Sequence, residues 1–297
     1  MELRVLRYFL AAARENSITK AAKFLHVTQP TLSRQLQELE EELGQKLMIR
    51  NNHTFALTPE GMLLRKRAEE VLEIIHKTEA EFGSFGKSVA GDVYIGGGET
   101  DAMRLPIAVM KAVQTEYPDV RFHVYSGNAD DVMERLDKGM LDFGILLHPV
   151  DISKYDSIPL PARDNWGVLM PADHSLAAKA AVTPTDLLNV PLLCSRVAVR
   201  HSGVKNATAE WFGKSFEKLN IVGSYNLIYN AALMVKGGLG CALVMDKLAN
   251  VEAVSGLCFR PLEPRLETGL DIVWKKYQVF SPAAKVFLER LRERFEQ

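Results

Sequence analysis

Cysteine is scarce in this chain: Cys194, Cys241 and Cys258 are the only three, and no two stand at the short spacing of a zinc site. A disulfide scaffold is excluded, and an odd, sparse count suits a reducing compartment. Cys194 and Cys241 sit within apolar, strand-like runs, which points to buried, inert thiols. There is no apolar run of membrane length and no secretory leader, so a cytoplasmic location and no membrane partner are expected. Glycines cluster at Gly96-Gly97-Gly98 and Gly237-Gly238-Leu239-Gly240, but neither cluster makes the dinucleotide pattern or a phosphate loop with its Lys-Ser/Thr. No Gly-x-Ser-x-Gly elbow is present, and the seven histidines are isolated from one another. Asp130-Asp131 reads as a pair of first-turn acids of a helix. The expectation is a protein that is not an enzyme, with no metal and no cofactor.

Strong charge of either sign is also missing. The formal net charge of −1 over 297 residues excludes a generic polyanion binder. Residues 1–58 carry eight lysines and arginines against six glutamates, and most of those acids fall late in a helix, at 38 and 40–42. A modest local excess fits site-specific binding better than an electrostatic blanket.

The informative stretch begins at Ser17. Ser17 is a good N-cap, and Ile18, Ala21, Ala22 and Leu25 follow at helical spacing. His26-Val27 leaves room only for a turn. Thr28 then caps a second helix, with Pro30 tolerated in its first turn because the amide lost there has no intrahelical partner. Leu32, Leu36, Leu39 and Leu43 share one face and should pack inward, and Gly44 ends the helix. Outward, near the start, stand Gln29, Pro30, Thr31, Ser33, Arg34 and Gln37. Such small or polar residues let a backbone approach base edges, and Arg and Gln can bind them in bidentate fashion. Spacing alone also fits an ordinary amphipathic helical hairpin.

The next segment decides between these. Lys46–Ile49 and Phe55–Leu57 read as short strands around Asn51-Asn52-His53, so a hairpin follows and the whole is a winged helix. Arg50 is the natural wing contact to DNA, with Asn52 beside it. Thr58-Pro59 starts a further helix by the cap-plus-proline rule. In it Leu64, Ala68, Val71, Ile75, Thr78, Phe82 and Phe85 alternate steps of four and three, a heptad seam that predicts a dimerisation helix. A dimer presents two recognition helices, which predicts double-stranded promoter DNA carrying an interrupted inverted repeat.

These blocks resemble the N-terminal domain of LysR-type transcriptional regulators. The resemblance rests on Met1-Glu2-Leu3-Arg4 with Tyr8-Phe9, Ala21-Ala22 with Leu25, the run Val27 to Ser33, Leu39 to Gly44, and Leu57-Thr58-Pro59-Glu60-Gly61. One departure stands out. The family's wing usually continues with a second basic residue, whereas Arg50 is followed by Asn51-Asn52-His53, so a more neutral wing is expected.

From Gly91 the pattern alternates. Strands are expected at 92–97, 120–125 and 142–147, with helices at 104–117 and 129–139 between them, which implies a parallel-type sheet. After a loop holding Pro149, Pro159 and Pro161, strands recur at 166–170, 192–194, 220–225, 241–245 and 270–274, with helices at 227–236 and 281–295. Tyr117-Pro118-Asp119-Val120, Leu136 to Asp142, and Ala231 to Gly240 resemble the same family's effector domain, which has the periplasmic-binding-protein architecture. The fold class expected is α/β: a winged helix-turn-helix over 1–58, a linker and dimerisation helix over 59–90, and a two-lobed effector domain over 91–297. Lobe I should span about 91–161 and 266–297, and lobe II about 162–265.

Ligands of such sheets bind at strand carboxyl ends. Those ends supply Glu99, Thr100, Ser126, Asn128, His148, Ser195, Arg196, Tyr225 and Asn226 as candidate effector ligands. Thr100 stands where the family commonly has an effector-binding Ser or Thr. Glu99 is either a charge at its own helix start or a ligand for a cationic group such as an amine. Arg196 would suit a carboxylate, or stay solvated, and His148 lies at a hinge or cleft rim, or simply in a loop. The resemblance implies a transcriptional regulator controlled by a small-molecule effector, assembled as a homodimer or homotetramer, with RNA polymerase as a further candidate partner. The competing reading is a small-molecule binding protein with an accessory helical head and no regulatory DNA binding, which leaves the wing and the seam unexplained.

Overall fold

The computed structural model of the chain describes residues 1–51, 54–84, 89–196, 207–249, 251 and 255–296. Two compact units divide it, Met1–Phe82 and Gly83–Gln297. In the first, α1 (Leu3–Glu15) precedes the two expected helices. Ser17 caps α2 (Ile18–Phe24), its hydroxyl accepting the Lys20 N–H at 3.3 Å, and His26 turns the chain at φ 55°. Thr28 caps α3 (Gln29–Leu43) by accepting the Thr31 N–H at 3.4 Å, and Gly44 closes it at φ 65°. Leu32, Leu36 and Leu39 fill a core with Phe9, Ala12, Ala21 and Leu47. Each such leucine contributes about 2 kcal/mol. Leu43, expected inward, is 39% exposed because the last turn of α3 runs beyond that core.

The wing is β1 (Met48–Asn51) against β2 (Thr54–Leu57), antiparallel, with Met48 opposite Leu57 and Arg50 opposite Phe55. The first strand therefore starts two residues later than its sequence pattern suggests. Glu40 is the reason. This carboxylate is buried, and its Oε1 accepts the N–H groups of Leu47 and Met48 at 2.9 and 3.2 Å. Those amides are thereby tied to α3, and Lys46 Nζ adds an ion pair to Glu40 Oε2 at 3.2 Å. Glu40→Ala leaves two buried donors without a partner, and should cost roughly 3 kcal/mol of head stability in urea unfolding. A loss below about 0.5 kcal/mol would show that Glu40 does not hold the wing.

Thr58 opens α4 (Pro59–Ser84): its hydroxyl accepts the Gly61 N–H at 3.0 Å and donates to the Lys46 carbonyl at 2.7 Å. The heptad seam divides in the structure. Leu64 packs on the head core and Ala68 is buried, whereas Val71 is 37% and Phe82 72% exposed. The early seam positions thus serve the head, and Phe85 lies outside the described residues. The compact unit takes α4 in as far as Phe82, so the helix groups with the head rather than forming a separate segment.

In the second unit, β3 (Gly91–Gly97), β4 (Val120–Ser126) and β5 (Phe143–Leu147) run parallel, connected through α5 (Arg104–Glu116) and α6 (Ala129–Asp137). There follow β6 (Tyr155–Pro171), β7 (Leu192–Ser195), α7 (Ala207–Phe212), β8 (Ile221–Tyr225), α8 (Ile228–Lys236), β9 (Cys241–Met245), β10 (Leu257–Pro261), β11 (Glu267–Lys275) and α9 (Pro282–Phe295). The sheet order is β4-β3-β5-β11-β6-β9-β7-β8, with β10 also on β6. It is mixed rather than parallel-type, because β11 is antiparallel to β5 and β6, and β6 is antiparallel to β9 and β10.

Pro159 and Pro161, expected in a loop, lie within β6. Proline cannot donate to a ladder, but the register between β6 and β11 shifts between Gly269 and Asp271, opposite Pro159, and both prolines face solvent. Up to Asn165, β6 pairs with β11; from Trp166 it pairs with β9. The crossing between lobes therefore falls at Asn165-Trp166, a few residues later than expected. Lobe I packs around Phe143, stacked on Phe280 at 5.1 Å and edge-on to Phe287 at 5.3 Å. Lobe II has a core on each sheet face, around Leu192 and Leu243 on one and Leu193 and Val244 on the other.

Candidate functional site

In the head, the outward residues of α3 come together as the sequence suggests. Gln29, Pro30, Thr31, Arg34 and Gln37 are exposed and Ser33 is half-buried. The acids of this helix are not all behind them, however. Arg34 Nε lies 3.5 Å from Glu38 Oε1, and Gln37 Nε2 donates to Glu41 Oε1 at 2.9 Å. Exposed pairs one helical turn apart contribute only ~0.5 kcal/mol, so a phosphate or a base edge displaces them readily. Arg50 lies in the β1 ladder, but its side chain, like Asn52 and His53, is outside the described residues.

The second unit holds a cavity of about 420 Å³ between its lobes, at the carboxyl ends of the strands. Glu99, Asn128, His148, Ser195, Tyr225 and Asn226 line it. Thr100, Ser126 and Arg196, also expected among the ligands, are not part of that lining. Ser126 ends β4 on an exposed edge, and Arg196 is exposed outside the lining. Thr100 is buried because its hydroxyl donates to Asp164 on β6 and accepts the Ala102 N–H at 3.0 Å.

Three consecutive residues leaving β3 in fact reach across to the crossing strand or lobe II. Glu99 Oε2 accepts the Ile228 N–H at 2.5 Å, Thr100 bonds Asp164, and Asp101 Oδ2 sits 3.6 Å from Lys247 Nζ. Glu99 is therefore a helix-terminal charge, but on α8 of the other lobe instead of its own helix. Leu227, the N-cap residue of α8, has no side chain able to cap, and Glu99 supplies that bond.

Asp164 is almost fully buried, 1% exposed. Burial holds its carboxyl above the usual carboxylate range; the Thr100 hydroxyl favours the ionised form, and Asp246 pushes the pKa further up. The folded chain thus binds this proton more tightly than the unfolded chain does. Its contribution favours folding in acid and is lost as pH rises through the folded pKa. Thr100→Val removes the donor and raises that pKa again. The variant should lose about 1–3 kcal/mol near neutral pH, with the deficit shrinking once Asp164 is protonated. Melting curves at about pH 7.5 and about pH 4 check this, and an equal deficit at both would contradict it.

The other polar lining groups are largely committed. His148 Nε2 lies 3.1 Å from Asp271 Oδ2, and the His148 carbonyl accepts from Thr268 at 2.7 Å. Asn128 caps α6 by accepting the Asp131 N–H at 3.0 Å. The Tyr225 hydroxyl donates to the Leu243 carbonyl at 2.5 Å, and burial pushes its pKa up. The apolar walls, with Trp166, Ile228, Val244 and Met245, were missing from the candidate set. Their signal was present, since Trp166 opens and Met245 closes an expected strand. Burial pushes the thiols of Cys194 and Cys241 up to about 12 and about 11. Cys241 and Cys258 lie on strands to either side of β6, an arrangement that no disulfide spans. Among the described residues no group of acids, histidines and cysteines could hold a metal, and no helix is long and apolar enough to cross a membrane.

Comparison with known proteins agrees with this geometry. The LysR substrate binding domain matches residues 86–296, and the bacterial regulatory helix-turn-helix protein, lysR family, matches residues 3–62. The Hca operon transcriptional activator HcaR of Escherichia coli (strain K12) is 29% identical over 297 residues, covering 99% of this chain and 98% of its own. The HTH-type transcriptional regulator YvbU of Bacillus subtilis (strain 168), itself uncharacterized, is 27% identical over 297 residues and covers 99% of both chains. Among solved structures, full-length CbnR complexed with its target DNA shares the fold, with a TM-score of 0.75, 21% identity and 99% of each chain covered. Matched from Leu3 through its last helix, the chain belongs to the LysR family of DNA-binding transcriptional regulators, which carry a substrate-binding domain for an effector.

Proposed function

We propose that this regulator acts as a homodimer or homotetramer that places α3 in the major groove of each half of an interrupted inverted repeat. A ligand in the interlobe cavity would then control it. One observation carries the reading: the leading end of α3 is exposed and polar, while its opposite face is locked into the head core. The uncovered seam positions Val71 and Phe82 of α4, with exposed Ile74 beside them, support self-association. CbnR, whose fold the chain shares, is recorded with its target DNA, which supports the same mode of binding. Bound between lobes that Glu99 and Asp101 connect, a ligand that fits one lobe angle better than another shifts the population toward it. The protein works in the cytoplasm and has no catalytic step in this reading. Its test is a mobility-shift titration at physiological salt with DNA from upstream of its own gene. Retardation should persist against an excess of unrelated DNA; equal competition by unrelated DNA would overturn the proposal.

A further inference from the structure

The interlobe cavity has an unusual electrostatic balance for a site that takes small metabolites. Among its described lining residues there is no lysine and no arginine, whereas Glu99 and Asp130 are acids and His148 faces Asp271. Glu99 is the informative one. Its Oε2 takes the first amide of α8, and among the described residues the carboxylate has no second partner and no cation beside it. An anionic ligand at the start of α8 would meet a fixed negative charge there, and one at the start of α6 would meet Asp130. A ligand cation would find a carboxylate already oriented by a backbone bond, with an oxygen to spare. The walls around it are apolar and aromatic, with Trp166, Tyr225, Ile145 and Val244. Asn226, exposed in the lining and without a partner among the described residues, offers a further polar contact.

We infer that the cavity takes an organic ammonium ion with an alkyl or aryl body, that the cation pairs with Glu99, and that the same carboxylate excludes carboxylate ligands. This rests on the reading of the cavity as the effector site. It makes Glu99 both a tie between the lobes and the residue that selects ligand charge. An ammonium drawn to Glu99 acts directly on the bond between lobe I and α8, so occupancy and lobe angle are coupled at one side chain.

The test uses the full-length chain and three probes of one body: 2-phenylethylamine, the neutral 2-phenylethanol and the anionic 3-phenylpropionate. Calorimetric titration should show the amine binding at least about tenfold more tightly than the alcohol, with the acid weakest. In Glu99→Gln the amine should fall by about tenfold, to the level of the alcohol, and the acid should gain. Tighter binding of the acid than of the amine, no binding of the amine, or an amine affinity unchanged in Glu99→Gln overturns the inference. Should the variant fail to fold, the order of the three probes on the wild-type chain decides by itself. A footprint on upstream DNA is run in parallel. A clear footprint with no amine binding rejects the ligand class and leaves the regulator reading intact; amine binding without a footprint does the reverse.

Discussion

Ser33→Ala combined with Arg34→Ala should abolish specific operator protection while leaving ligand binding in the second unit unchanged. In the leading half of α3 Arg34 is exposed and Ser33 half-buried, next to Thr28 and Thr31, whose hydroxyls are 2.8 Å apart at the cap. The backbone there is pinned by that cap below and by Leu32 and Leu36 in the core behind. The two side chains therefore project from a rigid support, and their removal takes contacts away without moving the helix. A bidentate base contact discriminates by about 1–3 kcal/mol, so losing Arg34 with Ser33 should weaken operator binding by about a hundredfold or more. Affinity for unrelated DNA should fall far less, since other basic side chains of the head supply it. The Arg34–Glu38 pair is surface-exposed, and breaking it should cost almost nothing in stability. Footprinting of the double variant beside a melting curve separates the two effects, and an undiminished footprint would remove α3 from its role.

The second large effect is expected at Gly61. A Cβ at this position would sit 2.1 Å from the Leu47 carbonyl oxygen. The obstruction is backbone, so no rotamer change relieves it, and the same oxygen already accepts the Thr58 N–H at 3.1 Å. Moving α4 away would break that bond and the Thr58 hydroxyl bond to Lys46 together. Gly61→Ala should destabilise the head by about 3 kcal/mol or more, and DNA binding should disappear with it. Hydrogen exchange read separately over the two units checks the origin of the loss. Protection should collapse in residues 1–82 and survive in 83–297. A variant with wild-type exchange in the head would contradict the close approach.

What was legible in the sequence follows the range of the interactions. Ser17, Thr28 and Thr58 cap helices through bonds to residues three positions away, and such bonds are written in local order. Leu32, Leu36 and Leu39 announce their face by spacing alone. Leu43 has the same spacing and is exposed, because only the extent of the packed core decides where a face stops. Glu40 looked like one more surface acid; its partners at Leu47 and Met48 exist only after the hairpin has folded back. Similarly, β6 is a strand despite two prolines, since its ladder partner over a hundred residues away supplies the register shift that tolerates them.

The cavity divides in the same way. Strand ends placed Glu99, Asn128, His148, Ser195, Tyr225 and Asn226 around one space. That Thr100 turns from it toward Asp164, 64 positions on, could not be read from its neighbours. The same holds for Glu99, whose bond to Ile228 spans 129 positions. Side chains that reach between lobes are the least legible of all, and here Glu99 and Asp101 are the ones that tie the two lobes together.

The central claim is that α3, presented twice by a self-associating chain, reads DNA. Footprinting of the wild-type full-length chain on its own upstream DNA tests it most directly. Two protected half-sites related by a two-fold axis, lost together in the Ser33→Ala, Arg34→Ala variant, are the expected result. A single unpaired site, or protection no stronger than on unrelated DNA, would contradict it.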